Sequence, residues 1–146
     1  MQKVTPFLMF SGRLEEAVQF YQSIFSDAKI ESLSPQSATF ELGGQHLLAF
    51  DGGEHFKFSE AISLFVDCED QKEVDYYWEK LLAGGGTESQ CGWLTDTFGV
   101  SWQVVPKALG ECLGGSDRAG AERAMQAMLG MQKLIVDELE QAYAGK

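Results

Sequence analysis

The chain has 146 residues, and its 22 acidic side chains outnumber its 11 basic ones, which gives a formal net charge of −11. Phosphate binding requires a basic face and no run of Lys or Arg is present, so the composition argues against nucleic acid as a partner and against an anionic membrane surface. No apolar stretch approaches bilayer-spanning length, and the N-terminus lacks a signal-peptide layout.

The first half of the chain predicts one strand, one helix and three further strands. Val4 to Phe10 is a short apolar strand, and apolar residues at helical spacing predict a helix from Arg13 to Ser26. The next three strands run from Ile30 to Leu33, from Ser37 to Leu42 and from Gln45 to Phe50, with the hairpin signal Gly43-Gly44 between the last two. A flexible loop from Gly52 to Ser59 follows and carries Phe56 and Phe58.

The second half predicts a similar order of elements. A nearly all-apolar strand runs from Ala61 to Val66, and Asp70 is placed to cap a helix that Gly84-Gly85-Gly86 ends. A short edge strand from Thr87 to Gln90 leads into the longest recognisable motif, Cys91 to Pro106. Because Leu8 to Phe10 and its helix match Leu64 to Val66 and its helix, we consider the two halves to be a duplicated unit.

The motif from Cys91 to Pro106 predicts a hairpin. Asp96-Thr97-Phe98-Gly99 has the composition of a four-residue turn, and Val100 to Val105 alternates between two faces until Pro106 stops it. Ser101, Gln103 and Val105 share one face. A Gln in the middle of an apolar strand requires a hydrogen-bonding partner, which is either a neighbouring strand or a ligand.

The last forty residues predict amphipathic helices. One or two helical turns are expected from Lys107 to Leu113, a helix capped by Asp117 reaches about Gly130, and a further short helix spans Lys133 to Tyr143. The Met-rich stripe of these helices requires a surface to cover. That surface is either their own domain or a second subunit of a symmetric dimer.

These residues resemble a known family. The chain is similar to the vicinal oxygen chelate superfamily, and more closely to its PhnB-like branch, often labelled 3-demethylubiquinone-9 3-methyltransferase. The segments that carry the resemblance are Pro6 to Phe10, Glu15 to Ala17 with Phe20-Tyr21, Phe50 to Gly53, Ile62 to Val66, Asp70 to Asp75 with Trp78, Cys91 to Pro106, and Met125 to Leu129.

The resemblance implies an α+β fold of paired βαβββ modules, the glyoxalase-like fold, whose sheets curve around a cavity. We expect a glyoxalase-like domain at residues 1–106, made of modules at about 1–58 and 59–106, and a C-terminal helical extension at 107–146. The metal enzymes of the superfamily place ligands at positions that correspond here to Pro6, Ala61 or Ile62, Gln103, and a residue between Leu47 and Phe50. Pro, Ala and Ile cannot ligate through a side chain, so we expect no metal and no cofactor.

Other candidate groups are weaker. His46 and His55 do not lie beside Cys, Asp or Glu at ligand spacing, so we interpret both as surface or structural histidines. Cys68, Cys91 and Cys112 cannot all pair and match no metal motif, which predicts reduced thiols and a cytoplasmic location. Cys91 has no base nearby in sequence, and the glycine run at 84–86 follows a helix instead of the strand that a nucleotide-binding turn requires.

We therefore expect a homodimeric, metal-free protein that binds a small, partly aromatic or apolar molecule. The predicted ligand-binding residues are Phe10, Ser63, Phe65, Trp93, Ser101 and Gln103, with Phe56 and Phe58 on a closing loop. The alternatives are a metal-dependent glyoxalase, dioxygenase or isomerase, a methyltransferase as the family label states, and a sequestration protein whose acidic charge suits a cationic drug. No catalytic residue is identified from the sequence.

Overall fold

The computed structural model describes residues 2–146. The chain divides into two units, Met1–Phe58 and Ser59–Lys146, and each is described by itself. Both units combine helices with a four-stranded sheet, so the α+β class predicted from the sequence is confirmed. Within the part of the chain described, no helix is both long and apolar enough to span a bilayer.

The first unit is a four-stranded sheet with one helix. Its elements are β1 (Phe7–Phe10), α1 (Leu14–Ile24), β2 (Lys29–Leu33), β3 (Ser37–Leu42) and β4 (Gln45–Asp51), followed by a single 3-10 turn at Gly53–His55. The order across the sheet is β1-β4-β3-β2, and β1 runs parallel to β4. At the turn between β3 and β4, Gly43 and Gly44 both have positive φ, as the predicted two-residue hairpin requires.

The core of the first unit lies between α1 and its sheet. The buried face of α1 follows the helical period, because residues three and four apart lie on the same side of a helix. Its members are Leu14, Ala17, Val18, Tyr21 and Ile24. The Tyr21 ring stacks on Phe40 of β3 with ring centroids 6.5 Å apart, which joins helix and sheet.

The second unit repeats this arrangement. Its first elements are β5 (Leu64–Cys68), α2 (Gln71–Leu82), β6 (Thr87–Glu88), β7 (Trp93–Thr95) and β8 (Ser101–Pro106). The order across this sheet is β5-β8-β7-β6, and β5 runs parallel to β8. The same order of strands and the same parallel pair occur in both sheets, in agreement with the repeat seen in the sequence.

A buried carboxylate organises the hairpin of β7 and β8. Asp96 Oδ1 accepts hydrogen bonds from the backbone N–H groups of Phe98 (2.9 Å) and Val100 (3.0 Å), and Oδ2 accepts one from Trp102 Nε1 (2.8 Å). Asp96 is only 3% exposed, so these bonds replace the water that the carboxylate loses on burial. The predicted turn is therefore tied to the core face of β8 through the indole of Trp102.

Three helices complete the second unit. They are α3 (Lys107–Leu113), α4 (Arg118–Leu129) and α5 (Val136–Ala144), and Asp117 caps α4 by accepting a hydrogen bond from Gly120 N at 3.1 Å. Their apolar faces meet the end of β8 in one core cluster. Its members are Val105, Leu109, Cys112, Ala124, Leu134 and Leu139. The apolar faces of these helices therefore cover a surface of their own unit, as one of the two interpretations of the sequence expects.

Several predicted element bounds were wrong. Strand β1 begins at Phe7 instead of Val4, and β5 spans Leu64–Cys68 instead of Ala61 to Val66, since pairing with β8 sets its register. Helix α5 begins at Val136, not Lys133, because Gln71 on α2 bonds both the Leu134 carbonyl (3.1 Å) and the Val136 N–H (2.6 Å).

Candidate functional site

Strand pairing places three predicted site residues in one row. Phe65 of β5 is paired with Gln103 of β8, and Gln103 is paired with Trp93 of β7. Residues in register on adjacent strands project from the same face of a sheet, so two aromatic rings flank one amide. Phe65 is 57% exposed, while Trp93 and Gln103 are half-buried. The row is therefore open to a ligand.

The amide of Gln103 is held across the row by Ser63. Gln103 Nε2 donates a hydrogen bond to Ser63 Oγ at 3.0 Å, and Ser63 immediately precedes β5. This bond is the strand-bridging partner that a Gln in an apolar strand requires. A primary amide has two N–H donors and an acceptor oxygen, so one bond leaves hydrogen-bonding capacity for a ligand. Bridging the strands and facing a ligand are thus compatible in this residue.

A cleft of about 700 Å³ lies between the row and the C-terminal helices. We call it the sheet–helix cleft. Phe65, Trp93 and Gln103 line it from the sheet, and Leu109 and Leu113 of α3 line it from the helices. Further lining residues are Asp67, Cys91, Val105, Pro106, Lys107, Gly110, Glu111 and Met128. The surface is thus mostly apolar, with one central amide and three charged groups.

The sequence did not identify the α3 contribution to this cleft. Lys107 and Glu111 were predicted to be helical but were not assigned to a site, and Asp67 was not assigned to one either. The signal available was the position of α3, which directly follows the strand that carries Gln103. A helix that starts at the end of a strand returns over the adjacent sheet face, and so brings its first turns near the residues of that face.

The remaining predicted site residues lie elsewhere. Ser101 shares the face of Gln103 but is only 5% exposed and does not line the sheet–helix cleft. Phe10, Phe56 and Phe58 belong to the first unit. There, Phe10 is 1% exposed and its ring contacts Phe58 edge to face, with centroids 5.2 Å apart, whereas Phe56 is 49% exposed.

The loop that carries Phe56 begins with a structured turn. Asp51 Oδ1 accepts hydrogen bonds from the backbone N–H groups of Gly53 and Gly12, each at 3.0 Å. These two bonds lower the pKa of Asp51. A Cβ placed on Gly52 would lie 2.5 Å from Met9 Cε and 2.8 Å from the Phe56 ring, so a larger residue here would displace these two side chains. The start of the loop is fixed by these contacts.

Charges in the cleft concentrate around Lys107. Its Nζ lies 3.3 Å from Glu69 Oε1, and the pKa of Lys107 is raised by that carboxylate, with smaller contributions from Glu111 and Asp67. A raised pKa keeps the ammonium protonated at neutral pH, so this amine is not prepared for nucleophilic attack. Lys107 therefore acts as a fixed positive charge among three carboxylates.

Cysteine chemistry has little support in the cleft. Cys91 lines it and adopts a positive φ of 59°, with its backbone N–H bonded to the Met131 carbonyl at 2.8 Å. The described residues that line the cleft include no histidine to act as its base. Burial, with help from nearby carboxylates, raises the pKa of Cys68 to about 12, so that thiol is unreactive.

The residues do not fit the metal that the resemblance implies for enzymes of the superfamily. Pro6, Ala61 and Ile62 offer no side-chain ligand, and the amide oxygen of Gln103 is a weak neutral ligand beside the His and carboxylate sets that hold catalytic divalent metals. Across residues 2–146, no three or more His, Cys, Asp or Glu side chains are grouped so as to hold a metal ion. The donor chemistry at the superfamily positions therefore argues against a resident metal.

His46 has acidic neighbours that sequence spacing did not indicate. Its Nε2 lies 3.4 Å from Glu41 Oε1, and its Nδ1, a buried atom that makes no hydrogen bond within the described residues, is 3.9 Å from Glu31 Oε1. The signal was present in the hairpin, because a two-residue turn at Gly43-Gly44 pairs Glu41 with His46. These residues belong to the first unit and not to the sheet–helix cleft.

Comparison with known proteins gives the family. The family model described as 3-demethylubiquinone-9 3-methyltransferase matches residues 2–105. The chain belongs to this family. A PhnB protein from Bacillus cereus, which carries the same methyltransferase name as a provisional assignment, is 37% identical, with a TM-score of 0.66 over 72% of this chain and 99% of that one. The predicted resemblance to the PhnB-like branch of the vicinal oxygen chelate superfamily is thus confirmed.

More distant structures show the fold. A glyoxalase-related enzyme from Fulvimarina pelagi is 17% identical, with a TM-score of 0.56 over 75% of this chain and 91% of that one. The fosfomycin resistance protein FosX from Listeria monocytogenes, solved with Mn(II) and sulfate, is 18% identical, with a TM-score of 0.58 over 78% and 97%. Among curated proteins, none matches significantly. The glyoxalase-like fold is therefore confirmed, and its activities are not transferred by this likeness.

Proposed function

We propose that this chain binds a small organic molecule in the sheet–helix cleft, with no metal in the site. The observation that supports this most directly is the row of Phe65, Gln103 and Trp93, which combines two accessible aromatic rings with one oriented amide. Ligand sites in proteins are mostly apolar concavities with a few placed polar groups, at volumes of about 300–1,000 Å³. The cleft, at about 700 Å³, has this character.

Each member of the row has a separate role in the proposal. Phe65 and Trp93 supply area for an aromatic or aliphatic group, since large rings contribute most of the apolar contact in such sites. Gln103 orients the ligand, because its amide is held in place by Ser63 and forms a hydrogen bond with the ligand. Ser63 then acts by positioning Gln103. The proposed role of these residues is binding, and no catalytic role is assigned to any of them.

The proposal also covers the remaining predicted contacts, the domain division, the oligomeric state and the cellular location. Ser101, Phe10, Phe56 and Phe58 do not line the sheet–helix cleft, and we keep them as ligand contacts proposed from the sequence, separate from the cleft. We also propose the division at residues 1–58, 59–106 and 107–146, a homodimer and a cytoplasmic location. Exposed apolar side chains such as Ile62 support a subunit contact, and three free cysteines support a reducing compartment. Sedimentation velocity tests the dimer.

The deciding experiment is a binding screen with a matched pair of variants. Indole, benzyl alcohol, benzylamine and S-adenosylmethionine are titrated while the indole N–H resonance of Trp93 is followed by NMR. We expect a small aromatic to shift that resonance. Gln103→Ala should weaken its binding about fivefold, as loss of one hydrogen bond of about 1 kcal/mol implies. The exposed Gln141→Ala serves as the control. Equal affinity in wild type and Gln103→Ala would remove Gln103 from the site.

The methyltransferase alternative is supported by the family description alone. The glycine run at 84–86 ends α2, and Gly84 and Gly85 have positive φ there, as helix termination requires. It is not the strand-to-helix turn of a nucleotide-binding fold. Saturable binding of S-adenosylmethionine would nevertheless favour this alternative, and stoichiometric retention of manganese, zinc, nickel or ferrous iron by elemental mass spectrometry would favour a metal-dependent enzyme.

A further inference from the structure

The charged groups of the sheet–helix cleft carry information about its ligand. Asp67 and Glu111 both line the cleft and are exposed. Within residues 2–146, neither of them forms an ion pair, whereas Lys107, the basic residue of the lining, lies 3.3 Å from Glu69. Two carboxylates and one ammonium therefore line the cleft, and the ammonium is paired with a third carboxylate outside the lining, so the local charge at the cleft is negative.

The pKa values of neighbouring groups indicate the same negative potential. Both Asp67 and Glu111 help to raise the pKa of Lys107, so they lie close enough to act on a cation in the cleft. Glu111 also contributes to the raised pKa of Cys112, on the buried side of α3, after the larger effects of burial and of Glu140. A negative potential between low-dielectric walls attracts cations and repels anions. This conclusion depends on side chains that line one cleft, not on the net charge of the chain.

The apolar part of the cleft complements these carboxylates. Phe65 and Trp93 present aromatic rings to the same cleft, and the faces of such rings attract ammonium groups. Leu109, Leu113 and Met128 add aliphatic surface on the helical side. A ligand with an apolar body and one positive charge would meet both kinds of group at once. A carboxylate or phosphate ligand would face uncompensated Asp67 and Glu111.

We propose that the sheet–helix cleft selects an organic cation, an amine or quaternary ammonium on an aromatic or aliphatic body, over neutral and anionic molecules of the same shape. This inference rests on the proposed function and specifies its ligand class. Asp67 and Glu111 confer the charge preference. Phe65, Trp93 and Gln103 bind the body of the ligand whatever its charge, so the two sets of residues can be tested separately.

The test uses three probes that share a benzyl group. They are benzyltrimethylammonium, the near-isosteric neutral 2-methyl-1-phenyl-2-propanol, and the anion phenylacetate. Each is titrated into the full-length protein at low ionic strength by calorimetry, with the Trp93 indole resonance reporting the location. We expect the cation to bind about tenfold more tightly than the neutral probe, as two exposed carboxylates imply at low ionic strength. The preference should shrink as salt is added.

A matched pair of double variants isolates the charge. Asp67→Asn with Glu111→Gln should reduce the cation preference to about twofold or less and leave the neutral probe unchanged. Glu79→Gln with Glu122→Gln removes the same net charge from exposed positions outside the cleft lining and should retain the preference. Thermal unfolding of each variant confirms that it is folded.

The outcomes distinguish this inference from the proposed function. If the cation and the neutral probe bind the cleft equally, or if Asp67→Asn with Glu111→Gln keeps the preference, the inference is overturned while small-molecule binding stands. If no probe shifts the Trp93 resonance and the screen with other aromatics is also silent, the proposed function fails and the inference fails with it. A cation preference that only the cleft variants remove supports both.

Discussion

Replacing Asp96 by Ala tests the account of the second unit most directly. The substitution removes the acceptor of three hydrogen bonds, from the N–H groups of Phe98 and Val100 and from the indole of Trp102. Trp102 is 2% exposed and Val100 is 4% exposed, so water does not readily replace the lost acceptor. Each buried donor left unpaired costs about 1–3 kcal/mol. Allowing for relaxation of the turn, we expect a loss of about 3–5 kcal/mol in the free energy of unfolding.

The assay is equilibrium urea unfolding, with Asp70→Ala as the matched control. Asp70 is exposed and its side chain accepts one capping hydrogen bond, from Glu73 N at 3.0 Å, so its removal should cost about 1 kcal/mol. Asp96→Asn provides an intermediate case, since its oxygen can still accept the backbone bonds while its NH2 group opposes the indole N–H of Trp102. A loss of about 1 kcal/mol or less for Asp96→Ala would refute the reasoning.

Three further predictions concern other parts of the chain. Gly92→Ala should lower the free energy of unfolding by about 1–3 kcal/mol, because φ at Gly92 is +86° and a Cβ would lie 3.0 Å from the backbone oxygen of Val104. Gly110→Ala should raise it by about 0.5–1 kcal/mol, because Gly110 lies within α3 and a Cβ there would meet no atom outside its own helix within 4 Å. Urea unfolding measures both changes. Iodoacetamide at neutral pH should label Cys91 in the folded protein well before Cys68, as peptide mass spectrometry would show. The lowered pKa of Asp51 adds stability that is present at neutral pH and lost as the pH falls through that pKa, so Asp51→Asn should flatten the acid side of a thermal-unfolding profile.

Each of these predictions has a contrary result. Equal effects of the two glycine substitutions would show that backbone conformation is not limiting at either position. Faster labelling of the buried thiol would mean that the second unit opens readily. An unchanged acid profile in the Asp51 variant would mean that its two backbone hydrogen bonds do not persist in solution.

Local patterns in the sequence were sufficient for most elements. The strand at Ser37–Leu42, the alternation in β8, the Gly43-Gly44 turn and the cap of α4 at Asp117 were all predicted, because each depends on residues close together in the chain. The family was also recognised from the sequence, and the match over residues 2–105 confirmed it. The predicted strand bounds were wrong where pairing with a distant strand overrides the local preference of the residues. Ile62 is apolar yet 71% exposed, and β5 begins only at Leu64, opposite Trp102.

The sequence by itself determined the α+β class, the repeated order of elements and the polar position of Gln103 in an apolar strand. Only the tertiary structure decided which residues share the sheet–helix cleft. Pairing of β8 with both β5 and β7 aligns Gln103 with Phe65 and Trp93, and the return of α3 brings Glu111 to the same cleft. The physical reason is that a binding site depends on register and packing between elements far apart in the chain, whereas periodicity and turn chemistry report only on neighbours.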